Sequence, residues 1–397
     1  MSSPTKFAWA FALCVLSAVA GAIAYRTRPL PMQTIYGSYP SMKVEDGRFI
    51  APYPTRTLLA EVGRFDDELT AYLWFDYLRA HAVVSPSQIC LAVSEDAGAP
   101  HYRIYLILPN DALVAIPYLS RLEGGGYITD FRLVFSNPDA LAYLQDQTSL
   151  FQAAYEKPAQ HTLETLSAKA LLPSVARFLL FKSQTDSRIR GTTAQYSLSL
   201  QRDQASELAA DIIMVAKFYD LPLDVFLGIG AMENNYMDVP GDLEHAVWKR
   251  RPARDDIVLK RLRRGVLVSD PSMGVWQITR ETLRYAHDLY RKDKRDYSQL
   301  PPRLRPPEEL QFDLSDSHVL TTYAGLLLRN LLDRFNGNVA EAVGAYNGGP
   351  RNPNPQYAAG VGLVAEYARN ILERVPLENA ASSSVPPDRA AAADPAD

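Results

Sequence analysis

The second half of the chain is a succession of helix-forming segments, and their start and stop signals constrain the fold more than any other feature. The segment ELAADIIMVAKFY has apolar residues at helical spacing, and Pro222 suits the first turn of the next segment. The amphipathic stretch SDSHVLTTYAGLLLRNLLDRF stops at the Asn-Gly pair 336–337. Asn338 then precedes Glu341 at capping-box spacing, and the helix it begins ends in AYNGGP. The sequence therefore predicts a mainly α-helical domain over residues 205–375.

One acidic residue, Glu233, follows an apolar run in this domain, GIGAM. On a helix through residues 223–235, Phe226, Ile229 and Gly230 share the face of Glu233. A carboxyl group kept partly out of water has a raised pKa and can hold a proton near neutral pH. The alternative is an ordinary surface glutamate at a frayed helix end, and this segment alone leaves both interpretations open.

Two further motifs follow in the same domain. SMGVWQIT, at 272–279, combines a small residue, a glycine, an aromatic ring and an amide before another helical segment. AVGAYNGGP, at 342–350, puts a phenol and an amide at a helix end. Each string alone is common in ordinary packing, but their order after AMENNY indicates a shared site.

Together, AMENNY, SMGVWQIT and AVGAYNGGP resemble the three signature regions of the soluble-lytic-transglycosylase-type peptidoglycan enzymes. The resemblance covers residues 205–375 and implies a lysozyme-like (SLT-type) helical fold. It also implies cleavage of the β-1,4 bond between N-acetylmuramic acid and N-acetylglucosamine, which leaves a 1,6-anhydromuramyl end.

The resemblance also implies roles for individual residues. Glu233 corresponds to the single catalytic acid/base of these enzymes. The glycan-contacting positions of the family correspond to Asn234, Met273, Gly274, Trp276, Gln277, Tyr346, Asn347 and, in VAEYARNIL, Tyr367. Most glycosidases need two carboxylates. A lytic transglycosylase can use one glutamate as acid and then as base, so neither a metal nor a cofactor is expected.

Two features depart from the family pattern. Asn234 stands where the family has a serine, and its amide can still hydrogen-bond a carboxylate or a sugar, with different geometry. The connection from Glu233 to Gly274 is longer than usual, and its segment 249–264 holds eight Lys or Arg against two Asp. This basic insert is either a solvated face or a contact for acidic wall groups, membrane phosphate or an envelope protein.

Two other functions stay open at this stage. A hydrolytic muramidase would need a second carboxylate near the bond, such as Glu244, Asp270 or Glu281. A catalytically inactive peptidoglycan-binding scaffold protein would keep the fold without turnover.

The first half predicts an α+β domain of unknown role over residues 55–190, so the fold class is α+β followed by the lysozyme-like catalytic domain. Helical spacing runs from Arg64 to about His81. The runs QICLAVS, YRIYLIL, ALVAIPYL and YITDFRLVF predict strands, and helices are expected around 138–156 and 161–182. Cys90, inside QICLAV, is expected to be a buried small hydrophobic residue.

The N-terminal residues 1–26 contain FAWAFALCVLSAVAGAIAY, at 7–25, without a charge. This segment is long enough to span a bilayer and long for a signal-peptide core of about 7–15 residues, although small-residue steps allow cleavage. We expect an inner-membrane anchor or a cleaved signal, with the remaining chain on the periplasmic side of the cell envelope. Residues 27–55 are expected to be a linker, and 376–397 a disordered tail.

Composition excludes several other classes. A formal net charge of -4 gives no basic field for nucleic acid, so nucleic acid is not an expected partner. The resemblance implies that the partner is the peptidoglycan glycan strand. Of the two cysteines, Cys14 lies in the apolar segment, which excludes an intramolecular disulfide framework. The chain has no HExxH or paired-Cys metal motif and no GxSxG nucleophile motif.

Overall fold

The computed structural model describes residues 43–45, 48–50, 57–81, 88–96, 99–136, 138–156, 161–192, 194–239, 260–261, 267–268, 272–310 and 316–374. The chain divides into two units, Met1–Glu156 and Lys157–Asp397. Within the ranges given above, no helix is both long and apolar enough to cross a membrane. The predicted anchor 7–25, the tail 376–397 and most of the basic insert lie outside those ranges.

The first unit combines strands with helices. Its elements are β1 (Lys43–Glu45), β2 (Arg48–Ile50), β3 (Thr57–Phe65), α1 (Glu68–His81), β4 (Ile89–Asp96), β5 (Ala99–Leu108), α2 (Ala112–Gly124), β6 (Arg132–Ser136) and α3 (Pro138–Glu156). Strands β1 and β2 pair with each other, inside the predicted linker, and the other four form an antiparallel sheet in the order β4-β5-β3-β6.

The four-stranded sheet buries side chains on both faces, as the two-residue period of a strand dictates. Along β3, Leu58 and Ala60 join the core on one face, whereas Leu59 packs with Leu144 of α3 on the other. The Thr148 hydroxyl of α3 accepts from the backbone N–H of Leu91 and lies within hydrogen-bond distance of its C=O. Helix α3 therefore covers the outer edge of β4.

The structure confirms β4, β5 and α3, and Cys90 is buried at 2% exposure. The strand prediction for ALVAIPYL is wrong, because this run lies in helix α2, where the Asp111 side chain caps the N–H of Leu113. A short apolar run fits a buried helix as well as a strand, so its sequence does not separate them. The run YITDFRLVF is a strand only over β6, and the central strand β3 was not predicted.

The second unit is mainly helical over its described residues. Its elements are α4 (Ala168–Gln184), α5 (Ala194–Leu198), α6 (Arg202–Tyr219), α7 (Leu223–Asn234), β7 (Lys260–Arg261), β8 (Leu267–Val268), α8 (Arg280–Tyr290), α9 (Ser317–Arg334), α10 (Val339–Gly348) and α11 (Pro355–Leu372). Short 3₁₀ turns cover Leu163–Thr165, Tyr297–Gln299 and Pro302–Leu304. The predicted stop at 336–337 is confirmed, since both residues have positive φ, and the Asn338 side chain caps the N–H of Glu341.

The predicted boundary at residue 190 differs from the structural division after Glu156. Helix α4 belongs with the helical unit because it packs along α6. Its residues Val175, Phe178 and Leu179 are fully buried in the same core as the side chains of α6. The site therefore rests on a helical unit that begins before residue 205.

Helices α7 and α11 pack antiparallel at very short range. A Cβ atom at Gly228 of α7 would lie 2.8 Å from the carbonyl oxygen of Val361, so only glycine allows this approach. Near one end of the pair, the Arg369 guanidinium donates to Asp224 at 2.9 Å. Near the other end, a Cβ at Gly360 would meet the Met232 side chain. This register brings the first turn of α11 to the end of α7.

Substitution of Gly228 tests this contact. We expect Gly228→Ala to lower the free energy of unfolding by about 1–3 kcal/mol, because the added carbon overpacks the helix contact. The matched control is Gly362→Ala on α11, where an added Cβ meets nothing within 4 Å. It should instead stabilise by about 0.5–1 kcal/mol through helix propensity. Urea unfolding followed by circular dichroism measures both, and equal effects of the two changes would refute the close packing.

Candidate active site

Glu233 lies in the last turn of α7, above an apolar face. Phe226 and Ile229 on that face are fully buried, and Gly230 beside them is buried too. The helix ends because Asn235 adopts a left-handed conformation with φ of 44°, and its N–H bonds the carbonyls of Gly230 and Ala231. Glu233 itself is half-buried. It is therefore a partly desolvated group at an ordered helix end and not a frayed surface residue.

The Glu233 carboxyl accepts a hydrogen bond from a tyrosine of α11. The Tyr357 hydroxyl donates to Glu233 Oε1 at 2.6 Å. Burial raises the pKa of Glu233 to about 7, against the opposing effects of this hydrogen bond and of the Arg188 charge. Near neutral pH the carboxyl can therefore hold a proton or release it.

A second tyrosine, Tyr346 of α10, is held near the same carboxyl. Burial raises its pKa strongly, and the charge of Glu233 adds to the effect. Its hydroxyl is buried and has no hydrogen-bond partner among the residues that the structure describes. The next residue, Asn347, is exposed and accepts from the Asn354 amide at 2.9 Å. The charge of Glu233 thus acts on Tyr346, whereas Asn347 lies at the surface.

The SMGVWQIT segment forms a tight turn. Met273 and Ile278 bond each other's backbone at 3.2 and 3.1 Å, and Gln277 inside the turn has a positive φ. Gly274 has φ of 71°, and a Cβ there would lie 2.9 Å from the Leu320 side chain. Met273 and Gln277 are half-buried and reach solvent.

Trp276 is fully buried, which corrects its predicted contact with a glycan. Its exposure is 0%, its ring stacks on Phe226 with centroids 4.3 Å apart, and its N–H donates to Thr321. Burial of the large indole ring stabilises the fold, and its N–H loses nothing on burial because it has a hydrogen-bond acceptor. Trp276 therefore packs against the buried face of α7, the helix that carries Glu233.

Asn234 and Tyr367 also differ from their predicted roles. Asn234 is 1% exposed, because the end of α7 turns its side chain into the protein, and it cannot meet a ligand from that position. Tyr367 is half-buried, and its ring lies 6.3 Å from that of Phe178. It follows Tyr357 by ten residues, about 15 Å along the helix axis. The tyrosine that reaches Glu233 is Tyr357.

Sequence reasoning therefore missed Tyr357 and Arg188. The Asn-Pro pair 354–355 is a helix start signal, and the Asn354 side chain caps the N–H of Tyr357. That signal could have placed Tyr357 in a first turn, but not beside Glu233. Arg188 lies in a connection between helices, where nothing in the local sequence predicts its neighbours.

The end of α10 adjoins a cavity of about 380 Å³. The residues that line it are Arg334, Gly348, Gly349, Pro350, Arg351 and Asn352. Over the described ranges, no cluster of three or more His, Cys, Asp or Glu could hold a metal ion. The described polar groups around Glu233 are the phenols of Tyr357 and Tyr346 and the charge of Arg188.

Comparison with protein-family models, with curated proteins and with solved structures finds no match to this chain.

The raised pKa of Glu233 makes stability depend on pH in a defined direction. Between the ordinary value of 4.5 and about 7, the folded chain holds a proton that the unfolded chain has lost. The free energy of unfolding therefore falls as pH rises through this window, and the loss is complete above it.

Glu233→Gln removes this titration and keeps an oxygen to accept from Tyr357. We expect the variant to exceed the wild type in stability by roughly 1–3 kcal/mol at about pH 8 and to match it at about pH 4. Urea unfolding at both pH values measures the difference. A stability difference that is the same at both would show that Glu233 titrates normally.

Proposed function

We propose that the chain is a peptidoglycan lytic transglycosylase, with Glu233 as its single general acid/base. The observation that carries the proposal is the half-buried Glu233 carboxyl, whose pKa is raised to about 7 and which accepts from Tyr357 at 2.6 Å. An effective acid/base catalyst has a pKa near the operating pH. The three ordered motifs of the resemblance supply the reaction class, and a lysozyme-like arrangement of residues 205–375 is part of the proposal.

One carboxyl group is sufficient for this reaction. Protonated Glu233 donates its proton to the glycosidic oxygen as the bond from that oxygen to the muramyl C1 breaks. The 6-hydroxyl oxygen of the same sugar then bonds to C1, and its proton returns to Glu233. No water is consumed, and the carboxyl ends in its starting state. Because the pKa of Glu233 is near 7, both steps are accessible at neutral pH.

The neighbouring groups position the carboxyl and the sugar. The Tyr357 hydrogen bond fixes one oxygen of Glu233 and leaves the other for the substrate. A buried hydroxyl without a partner costs about 1–3 kcal/mol, and a sugar hydroxyl at Tyr346 would remove that cost. Among the predicted contact residues, Met273 and Gln277 are half-buried and Asn347 is exposed, so a glycan can contact all three.

The products of sacculus digestion separate this proposal from a hydrolytic muramidase. Purified sacculi digested by the full chain should yield muropeptides with 1,6-anhydro ends, which mass spectrometry identifies because they are lighter by one water. Reducing ends alone would identify a hydrolytic muramidase and overturn the proposal.

Variant proteins complete the test. Glu233→Gln should reduce turnover by at least about 10²-fold, while glycan binding is kept, because it removes the titrating proton. Glu281→Gln is the matched control, since the muramidase alternative needs a second carboxylate of this kind and the proposal does not. Equal release by wild type and Glu233→Gln, with binding intact, would instead favour the inactive scaffold.

Because peptidoglycan is the proposed substrate, we also propose where in the cell the protein acts. Residues after the apolar segment 7–25 face the periplasmic side of the envelope, whether that segment remains as an anchor or is cleaved. The basic insert 249–264 and the first unit are the proposed contacts for wall or envelope partners. Protease added to spheroplasts should digest the helical unit. Digestion only after lysis would contradict this location.

A further inference from the structure

A buried aspartate joins the connection after α4 to the end of the Glu233 helix. Asp186 is 3% exposed, and its carboxylate accepts from Arg188 at 2.7 Å and from the Asn235 amide at 2.6 Å. Burial alone would favour a neutral acid, but these donors and the Arg188 charge hold the pKa of Asp186 below its ordinary value. Asp186 is therefore an anion at neutral pH and fixes both donors.

The two groups held by Asp186 bear on Glu233 in different ways. Asn235 is the left-handed residue that ends α7, two positions after Glu233, so its bond to Asp186 fixes the helix end. Arg188 bonds Asp186 through Nε and Nη2, which orients its guanidinium, and its charge acts on the Glu233 carboxyl. Asp186 and Arg188, which make these contacts with the end of α7, lie outside the predicted domain 205–375.

The single-carboxyl reaction places two opposite demands on Glu233. As an acid it must hold a proton, which burial favours. As a base it must exist as a carboxylate in the same half-buried place, which burial opposes. A fixed positive charge stabilises the carboxylate without supplying a competing proton, because a guanidinium does not titrate in this range.

We propose that Arg188, clamped by Asp186, is a positioning residue that lets Glu233 alternate between proton donor and proton acceptor. The inference rests on the proposed function in taking Glu233 as the reacting group. Among the described residues, the groups that interact electrostatically with the Glu233 carboxyl are Tyr357 from α11, Tyr346 from α10 and Arg188. Lys182 from α4 interacts with Asp186.

The test follows the titration of Glu233 directly, by NMR of the full chain with ¹³C-labelled glutamate. Arg188→Gln keeps a hydrogen-bond donor for Asp186 but removes the charge, so the pKa of Glu233 should rise by roughly half to one unit. Arg188→Lys keeps the charge, so the pKa of Glu233 should stay close to that of the wild type. Arg190→Gln removes the same charge two residues away and should cause no shift.

Two further variants complete the design. Tyr357→Phe is the positive control, because it removes the other group that favours the carboxylate and must also raise the pKa of Glu233. If Arg188→Gln fails to fold, Arg188→Met is measured in its place. An equal pKa of Glu233 in the Arg188 and Arg190 variants would overturn the inference.

The same variants are then assayed on sacculi across pH. For Arg188→Gln we expect the alkaline limit of kcat/KM to move upward with the pKa of Glu233, and kcat to fall at least about fivefold with little change in KM. A loss of turnover with an unchanged alkaline limit would mean a merely structural role. Since the NMR titration needs no substrate, absence of anhydro products would refute the proposed function while the Arg188 shift is still measured.

Discussion

The close approach of α7 and α11 at Gly228 is the constraint on which the site depends. With no Cβ at this position, the backbone of α11 comes within van der Waals range of α7. The antiparallel register then places Asp224 against Arg369 near one end and Glu233 against Tyr357 near the other. A larger residue would separate the helices and with them the two groups that define the site.

At the end of this helix pair, burial and polar contacts have opposite effects on the pKa of Glu233. Phe226 and Ile229 make the face under Glu233 dry, while Tyr357 and Arg188 favour the charged form of the carboxyl. The outcome is a pKa of about 7 and not an extreme value in either direction. Trp276 helps to keep this face buried, because its ring stacks on that of Phe226.

The two units bury their cores by different means. In the first, the sheet buries side chains on both faces, and the Thr148 hydroxyl of α3 contacts the backbone N–H and C=O of Leu91 on the edge strand β4. In the second, helices surround one large apolar cluster to which α4 also contributes. Because α4 packs in that cluster, the connection after it places Asp186 and Arg188 next to the end of α7.

The sequence by itself determined the features that depend on near neighbours. The stop at 336–337, the cap at Asn338 and the apolar face of Glu233 follow from hydrogen bonds and side-chain spacings within a few residues. The tertiary structure decided which faces meet. SMGVWQIT is compatible with a glycan-contacting surface or with a core, and only packing against Phe226 buries Trp276. Likewise, the choice of Tyr357 over Tyr367 depends on the register of two helices more than a hundred residues apart, which no local pattern encodes.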